Sequence, residues 1–109
     1  MLKVSVANDF SRFPSGRYKR NGSTSGEGFR ERYLESALRR GESVVVELDG
    51  TIGYGSSFLE EAFGGVIRSL NLPASQILAR LDLRSSDSEL IDEIKQYIED
   101  AGRVRKGEN

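Results

Sequence analysis

The stretch Val44–Leu70 reads VVVELDG-TIGYGSS-FLEEAFGGVIRSL. It opens on an apolar, β-branched run from Val44 to Leu48, interrupted only by Glu47. Such a run predicts a central strand covered on both faces. Asp49-Gly50 closes it. A glycine- and hydroxyl-rich loop follows, with Gly50, Gly53, Gly55, Ser56 and Ser57, and Ser56 or Ser57 is expected to cap the next helix. Phe58, Leu59, Ala62, Phe63, Val66, Ile67 and Leu70 then recur at helical period. A buried strand that hands over to a helix through glycines is how open α/β sheets build their sites, at the carboxyl ends of the strands.

Inside that helix, Gly64 and Gly65 each cost about 1 kcal/mol relative to alanine. At about 100° per residue, Gly64 falls on the outward face with Glu60 and Arg68, and Gly65 falls at the flank beside Glu61. Two readings are open. A bare outer face lets another backbone or helix come close. Alternatively the helix breaks or kinks at the pair.

Upstream, Leu2, Val4 and Val6 alternate with polar or small residues, as a half-buried strand does. Turn signals at Pro14-Ser15-Gly16 and Asn21-Gly22 bracket Arg17–Arg20, which suggests a hairpin. The segment carries Arg12, Arg17, Lys19 and Arg20 and no acid after Asp9. It reads either as a solvated hairpin or as a basic lip for an acidic partner or a phosphate. Thr24 and Glu27 have capping-box spacing. The helix after them buries Phe29, Tyr33, Leu34, Ala37 and Leu38, leaves Arg30 and Glu35 in water, and ends at Gly41. The GSTSGEG run, residues 22–28, resembles a phosphate cradle, but it lacks the lysine of a P-loop and Glu27 would repel a phosphate, which favours a structural cap.

Downstream, Asn71-Leu72-Pro73 stops the long helix. Ile77, Ala79, Leu81 and Leu83 alternate like another strand. Ser86–Glu89 is a second capping box, before a helix with Leu90, Ile91, Ile94, Ile98 and Ala101 inside and Gly102 at its end. Alternating strands and helices define an α/β domain, with a small mixed or mostly parallel sheet flanked by about three helices. One domain is expected over residues 1–102, with a flexible charged tail over 103–109.

Sixteen basic and seventeen acidic residues balance, which gives no electrostatic reason to expect nucleic acid or a membrane surface. Cysteine and histidine are absent, so disulfides, thiolate metal sites and the usual neutral-pH general base are excluded. Adjacent Glu60 and Glu61 point about 100° apart on a helix and do not pair. Asp49, at a strand end, is the best-placed carboxylate, and it has no catalytic companion. No enzyme, cofactor or metal is expected. The N-terminus lacks a signal-peptide core and no 18-residue apolar run exists, so a cytoplasmic location is the expectation.

The GYGSSFLEEAFGG segment, together with DFSRFPSGR at residues 9–17 and SGEGFR at residues 25–30, resembles the STAS-like family of small bacterial proteins of unknown function, DUF4325. The resemblance implies a fold similar to that of bacterial anti-sigma-factor antagonists. In those proteins a serine starting a helix is phosphorylated by a kinase that is also the anti-sigma factor. Ser56 falls at that serine and Ser57 just after it; Gly55 stands where that motif has aspartate, and Phe58 where it has glycine. The departures favour a docking surface over phosphorylation.

The resemblance thus implies a non-enzymatic regulatory interaction module that docks on a partner such as a histidine-kinase-like ATPase. The expected contact residues are Asp49, Gly50, Gly53, Tyr54, Gly55, Phe58, Glu60, Glu61, Gly64 and Gly65, in loop 50–57 and helix 56–70, with Ser56 and Ser57 as phosphoacceptors. The alternative is a nucleotide or anion binder using the glycine-rich loops, with Arg12, Arg17, Ser25, Gly26 and Arg30 at the anion.

Overall fold

A computed structural model describes residues 1–107. Three short strands, β1 (Leu2–Ser5), β2 (Val44–Glu47) and β3 (Leu81–Arg84), form a parallel sheet in chain order. The register sets Leu2 beside Val44 and Leu81, and Val4 beside Val46 and Leu83. Side chains alternate along a strand, so these six residues share one face. The other face carries Lys3, Val45 and Asp82, then Ser5, Glu47 and Arg84.

Four helical runs follow or join the strands. The first, α1, is built of Gly26–Phe29, Arg30–Leu34 and Glu35–Arg39. The second, α2, is built of Ser56–Leu59, Glu60–Gly64 and Gly65–Leu70. Then come α3 (Ala74–Arg80) and α4 (Ser88–Arg105). The middle segments of α1 and α2 are π turns, as is Val6–Phe10 after β1; each opens the helix by one residue. Both crossovers step across the sheet in the same direction, so right-handed connections lay their helices on one face.

A single core results. Val4, Val44 and Val46 join Phe29, Leu34, Leu38, Phe58, Phe63, Ile67, Ile77, Ile94 and Ile98 in one buried cluster, and Val45 lies outside it. β2 is central, as expected, and its three valines are all buried: Val44 and Val46 in the helix-covered cluster, and Val45, 3% exposed, on the opposite face outside that cluster. Glu47, the one polar residue of that strand, is half-buried on the same face as Val45.

Three local expectations also change. No hairpin forms around Arg17–Arg20; Lys19–Asn21 make one 3₁₀ turn. The alternation at Ile77–Leu83 splits into a helix through Arg80 and a strand from Leu81, because Ala74, Ile77, Leu78 and Leu81 also satisfy helical spacing. Gly102 does not end α4, which runs to Arg105; Gly102 is buried, and a Cβ there would sit 2.8 Å from that of Ala74. Of the expected tail, residues 108–109 lie outside the described residues.

Candidate functional site

Two places gather polar chemistry. The first lies between α1 and α2. Arg30 is buried, and its Nε donates to Glu35 Oε2 at 2.6 Å while Nη1 donates to Glu61 Oε2 at 2.6 Å. The same Nη1 donates to the Glu61 backbone carbonyl at 2.8 Å. That carbonyl is free because of the π turn. In a regular helix the Gly65 N–H would bond it, but here that N–H goes to the carbonyl of Glu60. Arg17 Nη1 donates to Glu60 Oε1 at 2.5 Å and Glu61 Oε1 at 3.2 Å. Arg68 clamps Glu60 from the other side at 2.7 and 3.0 Å. Three arginines thus balance three glutamates across two helices and the loop before them.

Burial alone would raise the carboxyl of Glu60, but hydrogen bonds from Arg68 and Arg17 outweigh it and hold the group below its ordinary value. A lowered folded value stabilises the fold at neutral pH and loses that contribution as pH falls through it. Urea unfolding of wild type and Glu60→Gln between neutral pH and pH of about 3 checks this. The wild type is expected to lose stability relative to the variant on the acid side, and parallel curves would sink the assignment.

Glycines make the network fit. A Cβ on Gly65 would fall inside the guanidinium of Arg30. A Cβ on Gly64 would lie 2.6 Å from Glu60 Oε2 and 3.3 Å from the Tyr97 carbonyl of α4. A Cβ on Gly26 would collide with the Phe58 carbonyl, where α1 starts against α2. The outward placement of Gly64 and Gly65 is corrected accordingly: both are buried, Gly64 under α4 and Gly65 under Arg30 of α1. Glu61 and Phe58 are buried with them. Only Ser56 and Ser57 at the start of α2 and Arg68–Ser69 near its end are exposed. Arg30 does not face water, and Arg17 is half-buried on Glu60. Neither cation is free for an anion. Ser25, also buried, caps α1 by accepting from Gly28 N at 3.1 Å, so it replaces Thr24 in the expected cap. Glu27 instead accepts from Lys19 N. Arg12 is exposed.

The second place is the carboxyl end of the sheet. Asp49 leaves β2 and accepts from Ser85 Oγ at 3.0 Å and from Ser86 N at 3.0 and 3.1 Å. The Ser86 backbone bond, followed by the Ser85 hydroxyl, holds its carboxyl below the ordinary value. It thus ties the β2 exit to the β3 exit. The cap of α4 is Asp87, accepting from Glu89 N and Leu90 N, and not Ser86, which Asp49 engages. Tyr54 folds back so that its hydroxyl donates to the Leu48 carbonyl at 2.7 Å, and burial pushes its pKa up to about 12. Asp49, Gly50, Gly53 and Tyr54 line one open crevice of about 910 Å³ with Asp87, Glu89, Asp92 and Glu93.

Ser56 and Ser57 are exposed in the first turn of α2. The N-cap is Gly55, without a side-chain bond, so neither serine is the expected cap. Sequence reasoning missed Phe13 and Ile52, which are 60% and 72% exposed at this end of the molecule. Their hydrophobicity inside turn-rich segments was the available signal. Among the described residues no three acidic side chains are grouped to hold a metal ion, and no helix is long and apolar enough to cross a membrane.

Fold and site define a small, one-sided parallel α/β domain with an ionic clamp inside and an exposed hydroxyl turn at its carboxyl rim. The chain belongs to the family described as the STAS-like domain of unknown function (DUF4325), whose profile matches residues 25–90. No curated protein and no solved structure matches it. The matched span holds SGEGFR, Glu35 and the whole Val44–Leu70 stretch, which together supply every clamp residue except Arg17.

Proposed function

We propose that this domain is a non-enzymatic regulatory module that docks on a protein partner through the carboxyl rim of its sheet. The contact comprises loop 50–57 and the first turn of α2. The partner class is a histidine-kinase-like ATPase, with Ser56 or Ser57 as the acceptor of its phosphoryl group. The carrying observation is the exposure of both serines on a helix start whose glycine cap offers no side chain. A phosphate there would add about −1.5 to −2 charges and meet free N–H groups at the positive end of a helix. Glu60 follows Ser56 by four residues and Glu61 follows Ser57 by four, so each phosphate would also press on the clamp one turn away.

The docking role of the remaining helix 56–70 contracts to that first turn, because its middle is core. The anion-binding alternative draws no support from Arg17, Arg30, Ser25 or Gly26, all of which serve the packing of α1 on α2.

Phosphopeptide mass spectrometry on chain isolated from its native host, with affinity capture by wild type, Ser56→Asp and Ser57→Asp, tests the reading. A phosphopeptide over residues 56–57 and loss of a captured ATPase by one aspartate variant are expected. A partner held equally by all three chains, without phosphopeptide, would remove the switch; no partner at all would remove the docking.

A further inference from the structure

We propose that the exposed pair Phe13–Ile52, with the acidic crevice beside it, is the contact face, and that it takes a protein partner presenting an apolar side chain bordered by lysine or arginine. This rests on the docking reading above and adds the place and the chemistry of contact. Lone exposed apolar residues are ordinary. Here two large ones are brought together from segments far apart in the chain. The Ile52 N–H donates to the Arg12 carbonyl at 3.0 Å, which pins the two loops to each other. Phe13 and Ile52 line one hollow with Pro14, Ser15 and Gly53. The pair is therefore held in place before binding, which lowers the ordering cost of association.

Gly53 also lines the large crevice, so the loop is a ridge with the apolar pair on one side and the acidic crevice on the other. That crevice carries Asp49, Asp87, Glu89, Asp92 and Glu93, and no lysine or arginine lines it. An apolar centre with a charged border is the usual anatomy of a protein contact. Arg12, exposed next to Phe13, is a single cation at this face, and the acidic crevice outweighs it in selecting the partner. Five carboxylates repel phosphates, which disfavours nucleic acid and anionic lipid, and attract a basic protein rim.

The test places a photo-crosslinking amino acid at position 13, 52 or 104 of the full chain in the native host. Val104 is 67% exposed on α4, beside a different groove, and serves as the control. The captured protein is then purified and its Kd for the chain measured at low and high salt. Positions 13 and 52 are expected to capture the same protein and position 104 none. Phe13→Ala and Ile52→Ala should each raise Kd roughly tenfold, about 1.4 kcal/mol. Thermal melting of both variants should match wild type, since both side chains are exposed. Salt should weaken wild-type binding, and Asp92→Asn with Glu93→Gln should flatten that dependence. Capture only through position 104, or affinity indifferent to these changes, overturns the inference and leaves docking standing. Capture of a second copy of the chain also overturns it. Capture by no position overturns both.

Discussion

Arg30→Met is expected to lower the unfolding free energy by about 3–5 kcal/mol, the usual cost of leaving a buried charge without its partner. Methionine keeps most of the stem, so little packing volume is lost. The guanidinium disappears from Glu35 Oε2, Glu61 Oε2 and the Glu61 carbonyl together. Glu61, only 7% exposed, keeps just the longer contacts of Arg17 at 3.2 Å and Arg68 at 3.4 Å, both on its other oxygen. The carbonyl released by the π turn keeps no donor from Arg30. Against a total stability of about 5–15 kcal/mol this loss is severe. Melting should move down by roughly 4–8 °C for each kcal/mol. Urea titration with an unchanged slope checks it, and a loss below about 1 kcal/mol would show that the ion pair is dispensable. Replacing Glu61 as well, by glutamine, should recover part of the deficit, because the stranded charge is what costs most.

Gly65→Ala turns on a sign. Helix propensity alone predicts a gain of about 1 kcal/mol, since alanine is the better helix former. The added methyl, however, would occupy the guanidinium of Arg30, which cannot swing aside without leaving Glu35 and Glu61. A net loss of about 1–3 kcal/mol is therefore expected, from overpacking and a displaced ion pair. In an Arg30→Ala background the space is vacant, and Gly65→Ala should become neutral or stabilising. The double-mutant cycle measures that coupling directly. Equal effects in both backgrounds would mean that the glycine is there for another reason.

The strand–loop–helix order and the α/β class were legible because apolar runs and glycine turns report local structure. The clamp was not. Arg30 and Glu35 are five residues apart, a spacing that a regular helix turns about 140° away and that only a π turn brings together. Periodicity counted Gly64 and Gly65 as outward because it assumes one buried stripe per helix. α2 is buried against α1 on one side and α4 on the other, so polar residues on its second face meet arginines where water was expected. Val44–Val46 read as buried on both faces from hydrophobicity alone, and all three are buried; the direction of the crossovers decides that the helices lie on the Val44 and Val46 side. At the carboxyl rim, the exposed serines and Asp49 were visible as loop chemistry. The pairing of Phe13 with Ile52 depends on a long-range backbone bond that no local pattern encodes.

Each strand of the sheet pairs with the next strand in the chain, yet no pairing is local. Leu2 meets Val44 and Val44 meets Leu81, each pairing roughly forty residues distant, so every ladder closes a long loop before it gains a single hydrogen bond. The helices that cover the sheet must then collapse early enough to hold the strands near one another. Folding is expected to be slower than for a helical bundle of this size. The contact of α1 with α2, whose charges lie within and between two consecutive crossovers, is the natural place for its nucleus.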